Sequence, residues 1–150
     1  MNYTKYHDLN QQEKDLIDMA ISSSSHSISP AGHKIGSVIL CENGETYMGA
    51  TNTRSRVIGS TCAERMAVDQ MLYHGNKRPE VCVLVGFLSR NNWKKDSICT
   101  PCGVCLEMFW EMLMMLGIED IDFICASWNK ERILKIKLTE LYPRFEAVKR

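Results

Sequence analysis

The sequence predicts an α/β domain in which a central sheet is covered by helices on both faces. Helix-like and strand-like patterns alternate along the chain. Residues 81–88 are almost continuously apolar, which is typical of a strand buried on both faces. The pair Asn43-Gly44 separates two strand-like segments and predicts a tight hairpin, because these residues tolerate positive φ. Helices that alternate with buried strands indicate a layered architecture around one sheet.

The first third of the chain is expected to form a helix and the hairpin. Apolar residues at helical spacing predict a helix over 9–21, with Asn10 as its N-cap. The serine-rich run 22–27 is expected to end this helix. Residues 33–41 and 45–52 are then the two strands of the hairpin.

The rest of the chain continues the alternation of helices and strands. Beyond the hairpin we expect an exposed loop (53–60), a helix (62–73), the buried strand (81–88) and a second polar loop (89–100). A Leu- and Met-rich helix (102–116), two further strands (121–127 and 133–138) and a short terminal helix (139–150) are expected to follow.

Length and composition favour a single domain over residues 1–150. The 18 basic and 18 acidic side chains balance, so the net charge does not favour nucleic acid or a membrane as partner. No apolar run approaches the roughly 20 residues of a membrane span, and the polar N-terminus predicts no signal peptide. We therefore expect a cytoplasmic location, where the 7 cysteines act as ligands or core thiols.

Two short clusters contain the candidate metal-binding and acid/base residues. Cys62 and Glu64 stand near the start of one predicted helix, and Cys102 and Cys105 stand at the start of another. Residues three apart on a helix share a face, so both sulfurs of the second cluster can reach one ion. Three thiolates leave a fourth zinc position for water, which is typical of a catalytic site. Glu64 then serves as the acid/base carboxylate, and Arg65 offsets the negative charge of the thiolates.

Simpler explanations exist for each cluster. Thr61 and Glu64 have the spacing of a capping box, in which the carboxylate would only bind a backbone N–H. Cys99 could complete a closed structural zinc site. The remaining cysteines lie in strand-like runs and are expected to be core thiols; they are Cys41, Cys82 and Cys125.

The two clusters together resemble the zinc-dependent cytidine deaminases. The signature of that family is a first ligand followed by x-Glu and later by Pro-Cys-x-x-Cys. Here it reads Cys62-Ala63-Glu64 and Pro101-Cys102-Gly103-Val104-Cys105, and a cysteine as first ligand is similar to the free-nucleoside branch of cytidine and blasticidin deaminases.

The resemblance implies a three-layer α-β-α sandwich with a mixed five-stranded sheet. It also implies one Zn²⁺ per subunit, held by Cys62, Cys102 and Cys105, and a homotetramer, with a dimer as the alternative. Glu64 would take the proton of the attacking water and pass it to the ring nitrogen and to the departing amine.

The resemblance also assigns substrate contacts. Backbone groups of Ala63 and Thr100 would hold the amidine edge of the base. Thr51 and Thr53 occupy the positions where cytidine deaminases carry Asn-x-Glu for the ribose, so the carboxylate that grips the sugar is missing. His33 stands where the family usually carries an aromatic residue; it either stacks on a substrate ring or is a half-buried strand histidine.

Three further features belong to the expected scaffold. Residues 140–145 are similar to the C-terminal Glu-Leu-Leu-Pro segment of the family. Trp93 is expected to pack or to line an interface rather than to contact substrate. The apolar residues of the second cluster's helix are expected in the core and at a subunit interface; they are Met108, Trp110, Met112, Met114 and Met115.

The sequence thus predicts a zinc hydrolase that deaminates an aminated pyrimidine nucleoside. The altered positions Thr51 and Thr53 leave open a modified nucleoside or a nucleoside antibiotic such as blasticidin S. A zinc-binding protein without catalytic activity is the alternative from another class, against which the intact Glu64 argues. Editing of polynucleotides is the least favoured reading, because the chain has no basic stripe.

Overall fold

The computed structural model describes residues 3–143 and contains one mixed sheet with helices on both faces. The strands are β1 (Tyr3–Thr4), β2 (Lys34–Cys41), β3 (Thr46–Ala50), β4 (Pro79–Phe87), β5 (Asp122–Ala126) and β6 (Ile133–Lys137). The α-helices are α1 (Gln11–Ser24), α2 (Ala63–Tyr73), α3 (Gly103–Leu116) and α4 (Leu138–Leu141). Short 3₁₀ turns cover Tyr6–Asp8 and Val57–Gly59.

The strand order is β1-β6-β5-β4-β2-β3. Only β4 and β5 run parallel; each other neighbouring pair is antiparallel. The predicted three-layer α-β-α architecture with a mixed sheet is confirmed. The predicted strand number of five is wrong, because Tyr3 and Thr4 add a short sixth strand beside β6. A strand of two residues is too short to show the alternation from which strands are predicted.

Helix α1 begins where the sequence predicts and ends later. Asn10 is confirmed as N-cap: its side chain accepts the N–H of Glu13, whose carboxylate accepts the N–H of Asn10. The helix does end within the serine run, as expected, but at Ser24, three residues later than the predicted Ile21. The buried Ser23 hydroxyl donates to the Gly49 carbonyl outside the helix, and the buried Ser24 hydroxyl donates to the Ile21 carbonyl of α1, so both hydroxyls are satisfied inside a helical conformation.

Each face of the sheet has its own apolar core. On one face α1 packs on the sheet through residues that include Ile17, Ala20, Val38, Val83 and Ile124. On the other face α2 and α3 cover a larger core that includes Met71, Leu84, Phe109, Leu113 and Phe123. The apolar run of β4 contributes to both cores, which confirms the prediction of a strand buried on both sides.

Topology brings several loops to one end of the sheet, here called the α2/α3 N-terminal end. The parallel strands β4 and β5 both finish there, and α2 and α3 both begin there. The antiparallel pairs place the end of β3 and the starts of β2 and β6 at the same end. The carboxyl ends of parallel strands are the usual location of ligand sites in open α/β sheets.

The contact between β3 and α2 requires glycine at position 49. A Cβ built on Gly49 would lie 2.1 Å from the carbonyl oxygen of Ala63 and 2.7 Å from the backbone nitrogen of Ala67. The helix therefore lies directly on the strand backbone. Ser23 reinforces this contact from α1, because its hydroxyl donates to the Gly49 carbonyl at 2.7 Å.

The C-terminal segment is only partly described. The predicted terminal helix over 139–150 is represented by the short α4, while residues 144–150, which include Arg144 and Phe145 of the segment 140–145, lie outside the described residues. Within residues 3–143, no helix has the length and apolar character that crossing a bilayer requires.

Gly49→Ala should displace α2 from the sheet, because the added methyl group would overlap the Ala63 carbonyl. We expect a loss of at least about 2 kcal/mol, which lowers Tm by roughly 4 °C or more, measured by thermal unfolding. Gly59→Ala is the control, since the nearest atom to its Cβ lies 3.8 Å away. Equal stability of the two variants would contradict the close packing at Gly49.

Candidate metal centre

Both cysteine clusters stand at helix N-termini, as the sequence predicts. Cys62 is the N-cap of α2 and Cys102 is the N-cap of α3, while Cys105 lies one turn further along α3. Asn52 and Thr61 exchange two backbone hydrogen bonds of 2.9 Å, which tie the residue before Cys62 to the extension of β3. The partial positive charge of a helix N-terminus favours the thiolate form of a cysteine.

The three thiol groups converge on one point. The Sγ atoms of Cys62, Cys102 and Cys105 all lie within 4.8 Å of one another, and those of Cys62 and Cys102 are 3.7 Å apart. A tetrahedral zinc ion with Zn–S bonds of about 2.3 Å separates its sulfurs by roughly 3.8 Å. The donor set therefore fits zinc in both its chemistry and its spacing.

Cys99 does not belong to this group. Within the described residues, the only cluster of three or more metal-binding side chains that meets these distances consists of Cys62, Cys102 and Cys105. Burial raises the pKa of the Cys99 thiol to about 12, so this cysteine is neutral at physiological pH. The alternative of a structural site closed by Cys99 is not supported by this geometry.

Glu64 lies beside the thiols and is 3% exposed. Its own backbone N–H and the Cys105 thiol lower the pKa of this carboxyl group. Burial is the larger influence and raises the pKa of Glu64 to about 7. A carboxyl group with such a pKa can both accept and return a proton near neutral pH.

Proton sharing among the thiols favours one thiolate even without metal. A hydrogen bond from the Cys105 thiol is the main cause that lowers the pKa of Cys62, to about 6, and Cys102 and the charge of Arg65 lower it further. The same hydrogen bond raises the pKa of Cys105. Arg65 therefore stabilises negative charge at this centre, as its sequence position suggests.

The capping-box explanation of Glu64 is not supported. The N-cap is Cys62 rather than Thr61, and no side-chain hydrogen bond caps α2. Glu64 consequently stands in the second position of the helix, and its carboxyl group is directed to the thiols rather than to the backbone N–H of Thr61, which donates to Asn52.

The candidate substrate contacts occupy varied environments. Ala63 is fully buried in the first position of α2, whereas Thr100 is exposed in the turn before Cys102. His33 is half-buried next to the start of β2, and its Nδ1 accepts the backbone N–H of Ser89 at 2.9 Å. This hydrogen bond attaches the loop that follows β4 to the start of β2.

Thr51 and Thr53 offer no charged group. The Thr51 side chain is buried, and its hydroxyl lies 3.4 Å from the carbonyl oxygen of Thr61. Thr53 is half-buried, and its backbone N–H donates to Ile28 at 2.7 Å. A carboxylate is therefore missing from the end of β3, as the sequence indicates.

The sequence analysis did not single out two glycines that position the site. Gly49 admits α2, and Gly86 on β4 admits Cys99: a Cβ on Gly86 would lie 2.9 Å from the Cβ of Cys99. Glycine inside a strand pattern is the signal that could have identified both, because it often marks a close backbone approach.

Trp93 lies in the loop before Cys99. Its indole nitrogen is buried, and it has no hydrogen-bond partner within the described residues. The predicted core role of α3 is confirmed for Met112, while Trp110 donates to the carbonyl of Tyr142 at 2.8 Å. Cys41, Cys82 and Cys125 are buried, as expected for core thiols.

Comparison with known proteins agrees with this centre. Residues 10–124 match the family model described as the cytidine and deoxycytidylate deaminase zinc-binding region. The fold is similar to that of the cytidine deaminase from Burkholderia pseudomallei, with a TM-score of 0.73 and 18% identity over 90% of this chain and 98% of that chain.

Two further solved structures show the same likeness. The cytidine deaminase from Mycobacterium leprae has a TM-score of 0.67 and 15% identity over 90% of this chain and 100% of that chain. The cytidine deaminase from Bacillus anthracis has a TM-score of 0.65 and 19% identity over 91% of this chain and 90% of that chain. At these identities the structural likeness establishes the fold.

Alkylation of the metal-free protein should distinguish the converging thiols from the core thiols. At about pH 8, iodoacetamide should modify Cys62 and Cys102 first, because Cys102 is exposed and Cys62 has a lowered pKa. Cys82 and Cys125 should react only after unfolding, since burial raises the pKa of both. Peptide mass spectrometry measures the order, and zinc should protect Cys62 and Cys102. Early modification of Cys125 would contradict the structure.

Proposed function

The chain belongs to the cytidine and deoxycytidylate deaminase family, and we propose that it deaminates an aminated pyrimidine nucleoside such as cytidine or deoxycytidine, with release of ammonia. Membership of the family and the shared fold make it a zinc-dependent hydrolytic deaminase. Three sulfur atoms converge beside the buried carboxyl group of Glu64, and this observation supports assigning the activity to these four residues.

In the proposed centre, Cys62, Cys102 and Cys105 hold one Zn²⁺ per chain. A zinc ion with this donor set supplies a water molecule activated for attack. Arg65 supports the site by offsetting the negative charge of the thiolates, which otherwise weakens the metal as a Lewis acid. The spacing of the sulfur atoms supports this assignment.

Glu64 transfers the protons of the proposed reaction. It takes a proton from the attacking water, whose oxygen bonds to the amino-bearing ring carbon. It then gives this proton to the ring nitrogen. It takes the second proton of the former water from the new hydroxyl group, which becomes a carbonyl, and passes that proton to the departing amine. The carbon–nitrogen bond breaks and ammonia leaves. The raised pKa of about 7 suits this exchange, because the protonated and ionised forms of the carboxyl group are then close in free energy.

Backbone groups near the helix starts are proposed to orient the base. Ala63 lies between Cys62 and Glu64, and Thr100 precedes Pro101 and Cys102, which supports a role of their backbone groups in binding the amidine edge. His33 is the candidate for stacking on the ring; the hydrogen bond from Ser89 holds its Nδ1 as an acceptor, which leaves the proton of the neutral ring on Nε2.

A modified nucleoside or a nucleoside antibiotic such as blasticidin S is the second candidate substrate. The end of β3 favours it, because Thr51 and Thr53 provide no carboxylate for a ribose hydroxyl. Steady-state deamination of cytidine, deoxycytidine and blasticidin S distinguishes the two candidates. Efficient turnover of cytidine would count against the second.

We also propose that the single domain assembles into a homotetramer, with a dimer as the alternative. The exposed face of α3 supports an interface, because Val104, Met114 and Met115 are 64%, 61% and 86% exposed. An apolar surface of this kind on a helix that begins at the site is typical of a protein–protein contact.

Glu64→Ala should retain the zinc content of the unaltered protein and lose at least about a hundredfold in kcat, because the proton carrier is removed while the three sulfur ligands remain. Ammonia release from cytidine and deoxycytidine gives the rate, and metal analysis gives the zinc content.

Glu111→Ala is the matched control, since Glu111 is an exposed carboxylate on α3 away from the thiols. It should keep both zinc and activity. Undiminished ammonia release by Glu64→Ala would refute the role of Glu64. Zinc binding without ammonia from any aminated pyrimidine would indicate a protein that binds zinc but lacks this activity.

Met115→Glu should reduce the assembly to a smaller species, because a charge would be buried at the apolar face of α3. Light scattering after size exclusion measures the mass of each variant. Tyr73→Glu is the control, since Tyr73 is 87% exposed on α2 and belongs to another surface. An unaltered mass for Met115→Glu would show that this face of α3 is not the subunit interface.

A further inference from the structure

The three converging cysteines differ in how their backbone holds them. Cys62 and Cys102 are N-caps with extended backbone, at φ −70°, ψ 153° and φ −73°, ψ 164°. Both therefore stand just outside the helical turns that follow them. Cys105 lies inside the first turn of α3 and is completely buried. Two of the three sulfur atoms thus belong to residues that can adjust without distorting a helix.

The same two cysteines are the ones that solvent can reach. Cys102 is exposed and Cys62 is half-buried, whereas Cys105 is buried. A Cβ built on Gly103 would have no atom within 4 Å, so the space beside the N-terminus of α3 is open. A small oxidant such as hydrogen peroxide therefore has access to the sulfur of Cys102 first.

The sulfur atoms of Cys62 and Cys102 are close to bonding distance. They lie 3.7 Å apart, and a disulfide bond is about 2.05 Å long, so the two atoms must approach by roughly 1.7 Å. Rotations of about 30° around the Cα–Cβ bonds of both residues cover this distance, at the modest cost of a departure from a staggered rotamer. The site can close into a disulfide without moving either helix.

The other cysteines are poorly placed to compete for these two sulfurs. Three of them are at most 1% exposed: Cys41, Cys82 and Cys125. Cys99 is half-buried, and a Cβ built on Gly86 would lie 3.1 Å from its sulfur. The preceding residue, Ile98, pairs with Ser127. The side chain of Cys99 is thereby packed on the backbone of β4.

We infer that hydrogen peroxide converts Cys62 and Cys102 of the metal-free protein into a disulfide that blocks the binding of zinc. The Cys102 sulfur bonds to one peroxide oxygen, the O–O bond breaks, and the other oxygen leaves as water with the thiol proton. The Cys62 sulfur then bonds to the Cys102 sulfur, the S–O bond breaks, and a second water leaves with the Cys62 proton. Two thiols are oxidised and one peroxide is reduced to two waters.

The disulfide and a metal ion would compete for the same two sulfur atoms. Thiolates bind zinc, whereas the sulfurs of a disulfide carry no negative charge, and Cys105 alone remains as a thiol ligand. A dithiol reductant reverses the bond by thiol–disulfide exchange. The centre thereby gains a reversible response to peroxide, which is a property beyond the proposed deamination.

Peptide mapping of the metal-free protein after treatment with hydrogen peroxide tests the inference. Trypsin cleaves after lysine and arginine, so Cys62 is the only cysteine of the fragment 57–65, while Cys102 lies in the fragment 96–130. Without reduction, we expect one species in which these two fragments are joined. A count in denaturant should show that two of the 7 free thiols are lost.

Variants identify the partner of Cys62 within the fragment 96–130. Cys99→Ala keeps the Cβ beside Gly86 and removes only the sulfur, so it should still give the joined fragments. Cys105→Ala should do the same, whereas Cys102→Ala should abolish them. Circular dichroism confirms that each variant is folded, and the fragmentation spectrum of the unaltered protein makes the same assignment without any substitution.

Zinc binding gives a second readout that does not use enzyme activity. The oxidised protein should bind zinc at least about a hundredfold more weakly than the reduced protein, measured by competition with a chromogenic chelator, because two of three thiolate ligands are lost. Dithiothreitol should restore the affinity. Loading with zinc before the treatment should slow the loss of thiols at least about tenfold, since both sulfurs are then engaged.

A disulfide confined to the fragment 96–130, which pairing of Cys102 with Cys99 or Cys105 would give, would overturn the inference. Survival of all 7 thiols, or an unchanged zinc affinity after oxidation, would overturn it as well. Each of these results leaves the proposed deaminase function intact. Conversely, absence of ammonia from every aminated pyrimidine would reject that function and leave the disulfide unaffected.

Discussion

The first turn of α2 lies on the backbone of Gly49, and the geometry of the metal centre depends on this contact. The absence of a side chain lets the helix approach until its Ala63 carbonyl occupies the space of a Cβ. Cys62 is the residue immediately before this turn, and Glu64 is inside it. Because helices pack as rigid units, the position of one turn determines the direction of both functional side chains.

The second half of the centre depends on the parallel pair of β4 and β5. A parallel connection requires a crossover, and α3 supplies it, so its N-terminus returns to the end of the sheet where α2 also begins. The packing of Cys99 against Gly86 and the pairing of Ile98 with Ser127 fix the segment that leads into Cys102. Two helix starts with independent supports thereby bring three sulfur atoms together.

Burial sets the pKa of the Glu64 carboxyl group, and charged side chains lie in the exposed loops before α2 and α3. Glu64 is shielded from water, so its ionised form is less stable and its pKa rises to about 7. The loops before the two helices carry exposed cations, which are Arg54, Arg56, Lys94 and Lys95.

Local patterns in the sequence determined the elements and the donor set, because these follow from neighbouring residues. The Asn10 cap, the Asn43-Gly44 turn and the spacing of Cys102 and Cys105 are all short-range signals, and the structure bears them out.

Tertiary contacts decided what such signals cannot report. The short β1 exists only through its pairing with β6, and α1 continues past its predicted end because Ser23 finds a partner on β3. Similarly, Cys62 rather than Thr61 is the N-cap of α2, because Thr61 is hydrogen-bonded to the extension of β3. The Glu64 side chain is therefore directed to the thiols and does not cap the helix. The sequence therefore determined which groups are available for catalysis, and long-range packing decided their distances, their burial and the charge around them.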